Sequence, residues 1–582
     1  MYHIFIRKLF LRGNIVFFIS MLLLCLLGNC IIAWHSSRLW GILESVVDVY
    51  CLTLLISLLP KRFMQVIRII VSCFMYIVTT LDLELVLSIG QPINPTLLLM
   101  CLQTNASEAS EAISVFLSWK NIIIACLCIC PILAMQLFLQ KKREPRIPKT
   151  VKMEKLMAIS VVIGLVVSLS LLWTEKKYKF YRLILQQSEL ELQRLEDMEP
   201  KTRFNLPVYR LWDAQIQLNR MQRIYNSLRS NQDITENVCC DFTSPEIILI
   251  LGESFSRHHS ALYGYEKVNT PFQIKWKEKG NLIMYTDAVS RWNTTCESIQ
   301  SLLSLSYAGD SLDWYERPFI TSVMKKAGYD VTLISNQYTL NNVGETSDFI
   351  EDVFINIPEV SMKQFNHRNK RMSQLDDIIL QEYDSIYSRV LAKQRFTVIH
   401  FRGMHFDFSQ RYPESFARFK ADDYNCYNNL TEEMNNTIAD YDNAILYNDY
   451  LMNQLLERFK NKDAIAIFIP DHGERVYDFD ENFGRSLGFT YNEIIPQHEI
   501  PMWIWASDTY ISNHTAIWNK IRSTSNKPYM TDAIAHTIMS LAGIKNDMYN
   551  SEVDIISNTY NCKRPRILRN QANYDSIKHA RR

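Results

Sequence analysis

Two stretches of this chain stay free of charge for as long as a bilayer core is thick. Ile15 to Trp34 (IVFFISMLLLCLLGNCIIAW) and Leu156 to Trp173 (LMAISVVIGLVVSLSLLW) each reach the roughly 18 apolar residues that a helix needs to cross hydrocarbon. Three more apolar segments lie between them: Val46 to Leu59 with Asp48 inside, Ile69 to Ile89 with Asp82 and Glu84 late, and Asn121 to Gln140. Any one of these alone reads equally as the buried helix of a soluble core. Together the segments predict an N-terminal five-helix transmembrane domain over residues 1–173. The first is no cleavable leader, because its apolar run is too long and no small-residue cleavage site follows.

Loop charge sets the orientation. Arg7, Lys8 and Arg12 precede the first segment, Lys61, Arg62 and Arg68 fall between the second and third, and a run from Lys141 to Lys155 separates the fourth and fifth. The other loops carry little positive charge. The positive-inside rule therefore puts the N-terminus in the cytoplasm and everything after Trp173 on the outer side. Residues 174–244 are charged, and Pro207 to Leu228 has apolar positions at roughly helical spacing, which predicts an amphipathic helical bridge. Over the whole chain, 48% hydrophobic and 21% charged residues exclude a disordered polymer, and a net charge of +1 gives no footing for nucleic-acid binding.

Beyond Pro245 the pattern becomes short apolar runs alternating with helical stretches. Ile247 to Leu251, Val331 to Ser335, Phe396 to Phe401, Ala464 to Ile469 and Pro501 to Ala506 read as buried strands of an α/β domain with helices on both faces of a sheet. Such sheets bind ligands beyond the carboxyl ends of their strands. At those ends stand Glu253 after the first run, His405 after the third and Asp471-His472 after the fourth, while His498 precedes the last. Carboxylates and imidazoles gathered at one sheet edge make a ligand set suited to zinc or manganese, with Glu253, Asp471 and His472 as ligands. The segment SRWNTTCESIQSLLSLS (Ser290 to Ser306) adds a hydroxyl at a helix start, where backbone N–H groups attract an anion. Thr294 with Glu297 fits a capping box. A metal deprotonating the adjacent Thr295 makes that residue a nucleophile. Cys296 lacks the nearby His of a thiolate pair and reads as a small buried residue.

LGESFSRHHSALYGY (Leu251 to Tyr265), Thr295-Cys296-Glu297-Ser298, HFRGMH (His400 to His405), YDNAILYNDY (Tyr441 to Tyr450), PDHGE (Pro470 to Glu474) and HEIPM (His498 to Met502) follow one another in that order. The set resembles the bacterial phosphoethanolamine transferases of the sulfatase and alkaline phosphatase superfamily. The resemblance implies a five-span membrane domain joined to a periplasmic alkaline-phosphatase-like (sulfatase) domain with a mostly parallel sheet, over residues 245–565, followed by a basic C-terminal tail, 566–582. It implies zinc, one ion or two with manganese the second choice, held by Glu253, Thr295, Asp471 and His472. Thr295 is then the catalytic nucleophile, with His405 and His498 as catalytic, second-metal or substrate-phosphate residues.

The loop TNASEASE (Thr104 to Glu111) resembles a family element near the lipid substrate, which marks Asn105 and Glu111. ISNQ (Ile334 to Gln337) is similar to a stretch of the branch that modifies core heptose, which marks Asn336 and Gln337 as substrate-binding. The implied partners are a phosphatidylethanolamine donor and an outer-leaflet acceptor, lipopolysaccharide or another glycolipid. The implied enzyme is a monomer of the bacterial inner membrane.

The residues before Thr295 are Trp292, Asn293 and Thr294, where many relatives have Cys-Gly-Thr, so the chain departs from the family at Trp292 and Asn293, and it departs again at Asp407, where the lipid A branch has Pro. Outside the membrane segments and the loop holding Cys101, its cysteines are Cys239, Cys240, Cys296, Cys426 and Cys562, without the close pairs that brace the lipid A enzymes. A Cys426–Cys562 bridge stays open. A phosphoglycerol transferase of the lipoteichoic-acid-synthase type shares the spans, fold and Thr nucleophile, but YDNAILYNDY and PDHGE favour the ethanolamine branch. A sulfatase activity is disfavoured because neither Thr295 nor Cys296 stands in a Cys/Ser-x-Pro-x-Arg setting. The non-enzyme alternative is a membrane-anchored sensor or scaffold that keeps a metal for stability.

Overall fold

A computed structural model describes residues 12–32, 38–89, 119–141, 207–232, 238–337, 354–424, 430–479, 481–485, 490–569 and 572–580. The segment Leu156 to Trp173, the loop with Asn105 and Glu111, and Cys426 lie outside them. The chain divides into two compact units, Met1–Gln222 and Arg223–Arg582.

The first unit contains helices α1 (Arg12–Ile32), α2 (Arg38–Leu58), α3 (Lys61–Ile89) and α4 (Trp119–Lys141). Among the described residues, two helical stretches are long and apolar enough to cross a membrane, Lys61–Leu87 and Lys120–Lys141, while Arg12–Leu27 and Ser45–Leu58 are shorter apolar stretches. The unit has an apolar core that includes Phe17, Met21, Leu24, Val49 and Met75, and it buries polar side chains as well while exposing apolar ones. Val66, Ile69, Ile70, Ile77 and Leu81 of α3 face outward, whereas Ser72, Thr79, Asp82 and Glu84 are buried. A helix whose polar side is the hidden one is built for an apolar surround.

Polar side chains join the helices where no water competes. Asn14 on α1 donates to Ser57 on α2 at 2.9 Å, and Gln136 on α4 accepts from Tyr76 at 2.8 Å and donates to Ser72 at 3.2 Å. One expectation needs correction. Lys61, Arg62 and Arg68, counted above as loop cations, belong to α3, because Pro60 turns the chain and the helix begins immediately after it. Arg68 reaches Asn14 Oδ1 at 3.1 Å.

The second unit is built on a seven-stranded sheet. In chain order its strands are β1 (Glu246–Gly252), β2 (Leu282–Tyr285), β3 (Asp330–Ser335), β4 (His367–Arg368), β5 (Arg395–His400), β6 (Ala464–Pro470) and β7 (Met502–Ala506). Their order across the sheet is β2-β7-β6-β1-β5-β3-β4. All run parallel except β7, which is antiparallel to both its neighbours. The five predicted runs are the five inner strands. The missed β2 and β4 are edge strands of four and two residues, too short to show a period.

Alternate residues of β1 enter different cores: Ile247, Leu249 and Leu251 face one side, Ile248 and Ile250 the other. Helix α5 (Pro207–Asn231) contributes Ile224 and Leu228 to the first core. Helix α6 (Thr295–Leu303) adds Ile299, Leu302 and Leu303 to it, and the long α7 (Glu432–Glu457) covers the opposite face.

Helix α7 also clamps the loop that leaves β1. His259, 4% exposed, sits between Asp442 on α7 (3.1 Å) and Asp478 (3.3 Å). Burial opposes its charge, but Asp478 and Asp442 outweigh that and raise it from 6.5 to about 10. Asp442 also accepts the Tyr265 and Tyr424 hydroxyls at 2.8 and 2.5 Å. A raised imidazole pKa stabilises the fold fully below pH 6.5, and the contribution is lost as pH rises through about 10. His259→Gln is therefore expected to cost about 3–5 kcal/mol at neutral pH, the cost of breaking a buried ion pair. Denaturant titrations at pH 7 and above pH 10 should show the gap between variant and wild type shrinking at the higher pH.

Candidate metal centre and nucleophile

The parallel strands converge their carboxyl ends on one edge, and the residues just beyond β1 and β6 meet there. Glu253 leaves β1 and Asp471-His472 leave β6; all three are fully buried. Two backbone bonds lash the loops together, Asp471 N–H to Gly252 O at 3.0 Å and Phe255 N–H to His472 O at 2.9 Å. Ser254 is held at φ +52°, the left-handed region that costs a residue with a side chain about 1–2 kcal/mol. Its contacts offset that strain. Its N–H donates to Asp471 Oδ1 at 3.0 Å, its hydroxyl to Glu253 Oε1 at 2.8 Å, and its carbonyl accepts the Tyr441 hydroxyl at 2.6 Å. Gly403, at φ +49°, passes so close that a Cβ there would meet the Glu253 backbone at 3.1 Å.

The ligand atoms of Glu253, Asp471 and His472 face one another. His472 Nδ1–H donates to Gly473 O at 2.8 Å, which leaves Nε2 with its lone pair 3.3 Å from Asp471 Oδ2 and 3.7 Å from Glu253 Oε1. Arg485 Nη1 donates to the same nitrogen at 3.2 Å. Asp471 Oδ2 is buried with no hydrogen-bond partner. One donor atom from each of Glu253, Asp471 and His472 lies within 4.8 Å of the others. Zinc bonds of about 2.0–2.1 Å in a tetrahedron put neighbouring ligand atoms roughly 3.4 Å apart, so the set fits such an ion. Thr295 Oγ1 completes the group at 3.3 Å from both Glu253 oxygens.

Burial, reinforced by Asp471, raises Glu253; burial raises Asp471 to about 6 and lowers His472 to about 4. Each shift is the response of a group denied water and lacking a counter-ion. Glu474, two residues on and also buried, is raised to about 8 by burial, and its Oε1 has no partner among the described residues.

Thr295 opens α6. The expected capping box is absent: Thr294 is the N-cap residue, but its side chain makes no capping bond. The N–H groups of the first turn are left facing an anion-ready position. His498 arrives beside this point only because β7 runs antiparallel, which brings the residues before that strand to the same edge as those after the others. Its Nδ1–H donates to Ser290 O at 2.9 Å, and burial lowers it to about 3, so it stays neutral with Nε2 as an acceptor. His405 is half-buried, its Nδ1 2.7 Å from Phe406 O, and close enough for its charge to act on both Glu253 and His472.

Two residues marked for substrate contact are engaged elsewhere. Gln337 spends its amide nitrogen on Glu253 Oε2 (3.0 Å), His400 Nε2 (3.1 Å) and Phe401 O (2.9 Å), so it orients the Glu253 carboxylate. Asn336 is buried, donating to Asp376 Oδ1 at 2.8 Å and accepting from Ser373 N–H at 2.7 Å; Asp376 in turn fixes the Arg402–Gly403 turn. Sequence reading also passed over Ser254 and Tyr441, although both lie inside motifs it quoted. Among the described residues, Cys296 and Cys562 have no disulfide partner.

Metal binding needs ionised carboxylates. With Asp471 raised to about 6 and Glu253 raised as well, affinity for zinc should fall as pH drops, by about tenfold per pH unit for each carboxylate that takes up a proton, read by competition with a chelator. Asp471→Asn should remove both the binding and its pH dependence.

A protein-family model described as Sulfatase matches residues 245–544. Phosphoethanolamine transferase EptC of Escherichia coli K12 is 24% identical over 524 residues, covering 89% of this chain and 86% of that protein. Phosphoethanolamine transferase CptA of Salmonella typhimurium is 24% identical over 503 residues, covering 85% and 83%. Among solved structures, the C-terminal periplasmic domain of EptC from Escherichia coli, in complex with Zn, aligns with a TM-score of 0.52 at 24% identity, over 59% of this chain and 97% of that one. The mostly parallel sheet, the site at its carboxyl edge and the matched span of 300 residues together place this chain in the sulfatase family.

Proposed function

We propose that the protein is a membrane-bound, zinc-dependent phosphoethanolamine transferase. In this reading it crosses the bacterial inner membrane five times and carries its catalytic domain in the periplasm. The donor is phosphatidylethanolamine, and the acceptor is a core sugar or lipid A phosphate of lipopolysaccharide. The observation that carries the proposal is Thr295, a hydroxyl at an open helix N-terminus and 3.3 Å from the Glu253 carboxylate, one of three buried residues whose donor atoms could hold a metal ion. Relatives named as phosphoethanolamine transferases over 89% and 85% of the chain support the group transferred.

Glu253, Thr295, Asp471 and His472 would hold the metal, which when bound supplies Lewis-acid stabilisation of the Thr295 alkoxide and of phosphoryl charge. Thr295 directs its hydroxyl proton toward Glu253. The first-turn amides of α6 bind phosphoryl oxygens and set the phosphorus in line with Oγ1. Attack forms the Oγ1–P bond and breaks the bond from phosphorus to the diacylglycerol oxygen, leaving phosphoethanolamine on Thr295. The leaving oxygen takes its proton from His405, the more solvent-accessible imidazole, since His498 is held neutral with its proton on Ser290 O. In the second half His405 accepts the acceptor's proton, the bond from the acceptor oxygen to phosphorus forms, the Oγ1–P bond breaks, and Oγ1 takes back its proton from Glu253. Gln337 and Ser254 keep Glu253 oriented throughout.

Incubation of zinc-loaded protein with phosphatidylethanolamine labelled in its head group should place the label on the peptide containing Thr295. Thr295→Ala should abolish the adduct and lower transfer by about 10³-fold or more. Label from phosphatidylglycerol instead would make the enzyme a phosphoglycerol transferase, and zinc-loaded protein that never forms an adduct would end the catalytic reading. Mass spectrometry of lipid A and core from cells with and without the protein identifies the acceptor.

A further inference from the structure

The family match ends at residue 544, yet the chain continues to a folded segment that reaches the catalytic edge. Residues 564–569 and 572–580 form a short hairpin, closed by Leu568 N–H to Ala572 O (2.9 Å) and Tyr574 N–H to Arg566 O (3.0 Å), and end in helix α8 (Tyr574–His579). Leu568 and Tyr574 are fully buried against Val289, Ile494 and Ile495. This stretch, expected as a basic tail, is therefore part of the unit's core.

Its cations are paired with acids that flank the two catalytic segments. Arg566 Nη1 lies 2.9 Å from Asp287, upstream of Thr295, and Lys578 Nζ lies 3.1 Å from Glu499, the neighbour of His498. Between them Arg569, 3% exposed, enters the site wall. Its N–H donates to Arg291 O at 3.2 Å, and its Nη1 donates to Asn293 Oδ1 at 2.6 Å. Asn293 Nδ2 donates in turn to Gln497 Oε1 at 2.7 Å, and Gln497 O accepts the Gly473 N–H at 2.8 Å. Arg569, Asn293, Gln497 and Gly473 are buried.

One hydrogen-bonded line thus joins the C-terminal hairpin to the nucleophile's loop, to the residue before His498 and to the turn after His472. The first bond is charge-assisted and polarises the Asn293 amide toward Gln497.

We infer that Arg569, supplied by the C-terminal hairpin, is a positioning residue that acts through Asn293 to hold the Thr295 helix start in register with the metal ligands. The inference rests on the transferase reading for its kinetic arm and on geometry alone for its exchange arm. Hydrogen exchange of the full-length protein should show amides of residues 290–298 exchanging about tenfold faster in Arg569→Ala than in wild type, with the peptide covering β1 unchanged. An unchanged 290–298 peptide overturns the inference whatever the activity. In the transfer assay, Arg569→Ala should lower kcat by about 10²-fold with KM for phosphatidylethanolamine and zinc content unchanged, because misplacement rather than lost binding is the defect.

Arg569→Lys should recover part of the rate. In a cycle with Asn293→Ala, the double variant should be no worse than the poorer single one. Additive losses, or a loss that tracks melting temperature or zinc content, would overturn the positioning role. Arg229→Ala, which removes an exposed pair with Glu359, is the control expected to leave the rate unchanged. Wild-type protein that forms no Thr295 adduct would sink the transferase reading while the exchange arm still decides the inference.

Discussion

Two buried carboxylates and a neutral imidazole with their lone pairs turned toward one another repel, and in a dry interior little screens them. Around Glu253, Asp471 and His472 the protein answers this with donors: Ser254 N–H and hydroxyl, Gln337 and Arg485. They still leave Asp471 Oδ2 without a partner. A cation held among the three would relieve this repulsion, and burial expresses it in the raised carboxylates and the lowered imidazole. The surrounding architecture makes sense as what keeps this unfavourable cluster from relaxing.

The restraint comes from several directions. Parallel strands β1 and β6 are neighbours, so the loops leaving them are neighbours too, and backbone bonds lock them. Helix α7 reaches over with Tyr441 to the carbonyl of the strained Ser254 and with Asp442 to the buried His259. The C-terminal hairpin closes the remaining side through Arg569 and Asn293. Each device stabilises a conformation that the local chain would not adopt alone, which is how a strained site persists.

Much of this was legible in the sequence because it is local. The five inner strands appeared as apolar runs, and Glu253, Asp471 and His472 follow two of them directly. Of the apolar segments in the first third of the chain, those within α3 and α4 form helices long and apolar enough to cross a membrane. Less legible were features that depend on what lies opposite. Edge strands β2 and β4 are too short to display a period, and Lys61, Arg62 and Arg68 look like loop cations until α3 is seen to start at Lys61. Gln337 carries the same amide whether it meets a substrate or the Glu253 carboxylate, and only its neighbours distinguish the two. Arg569 sits in an unremarkable basic stretch with no spacing rule to connect it to Asn293, 276 residues earlier.

By itself the sequence determined the element types, the residues that carry charge at strand ends and the hydroxyl at a helix start, because periodicity and neighbour identity act over a few residues. Tertiary structure decided which of those residues share a site. The antiparallel course of β7 brings His498 to the edge where Asp471 ends, and the register of β1 on β6 sets Glu253 beside His472. Those pairings are fixed by burial of both sheet faces, a property of the assembled layers that no single segment contains.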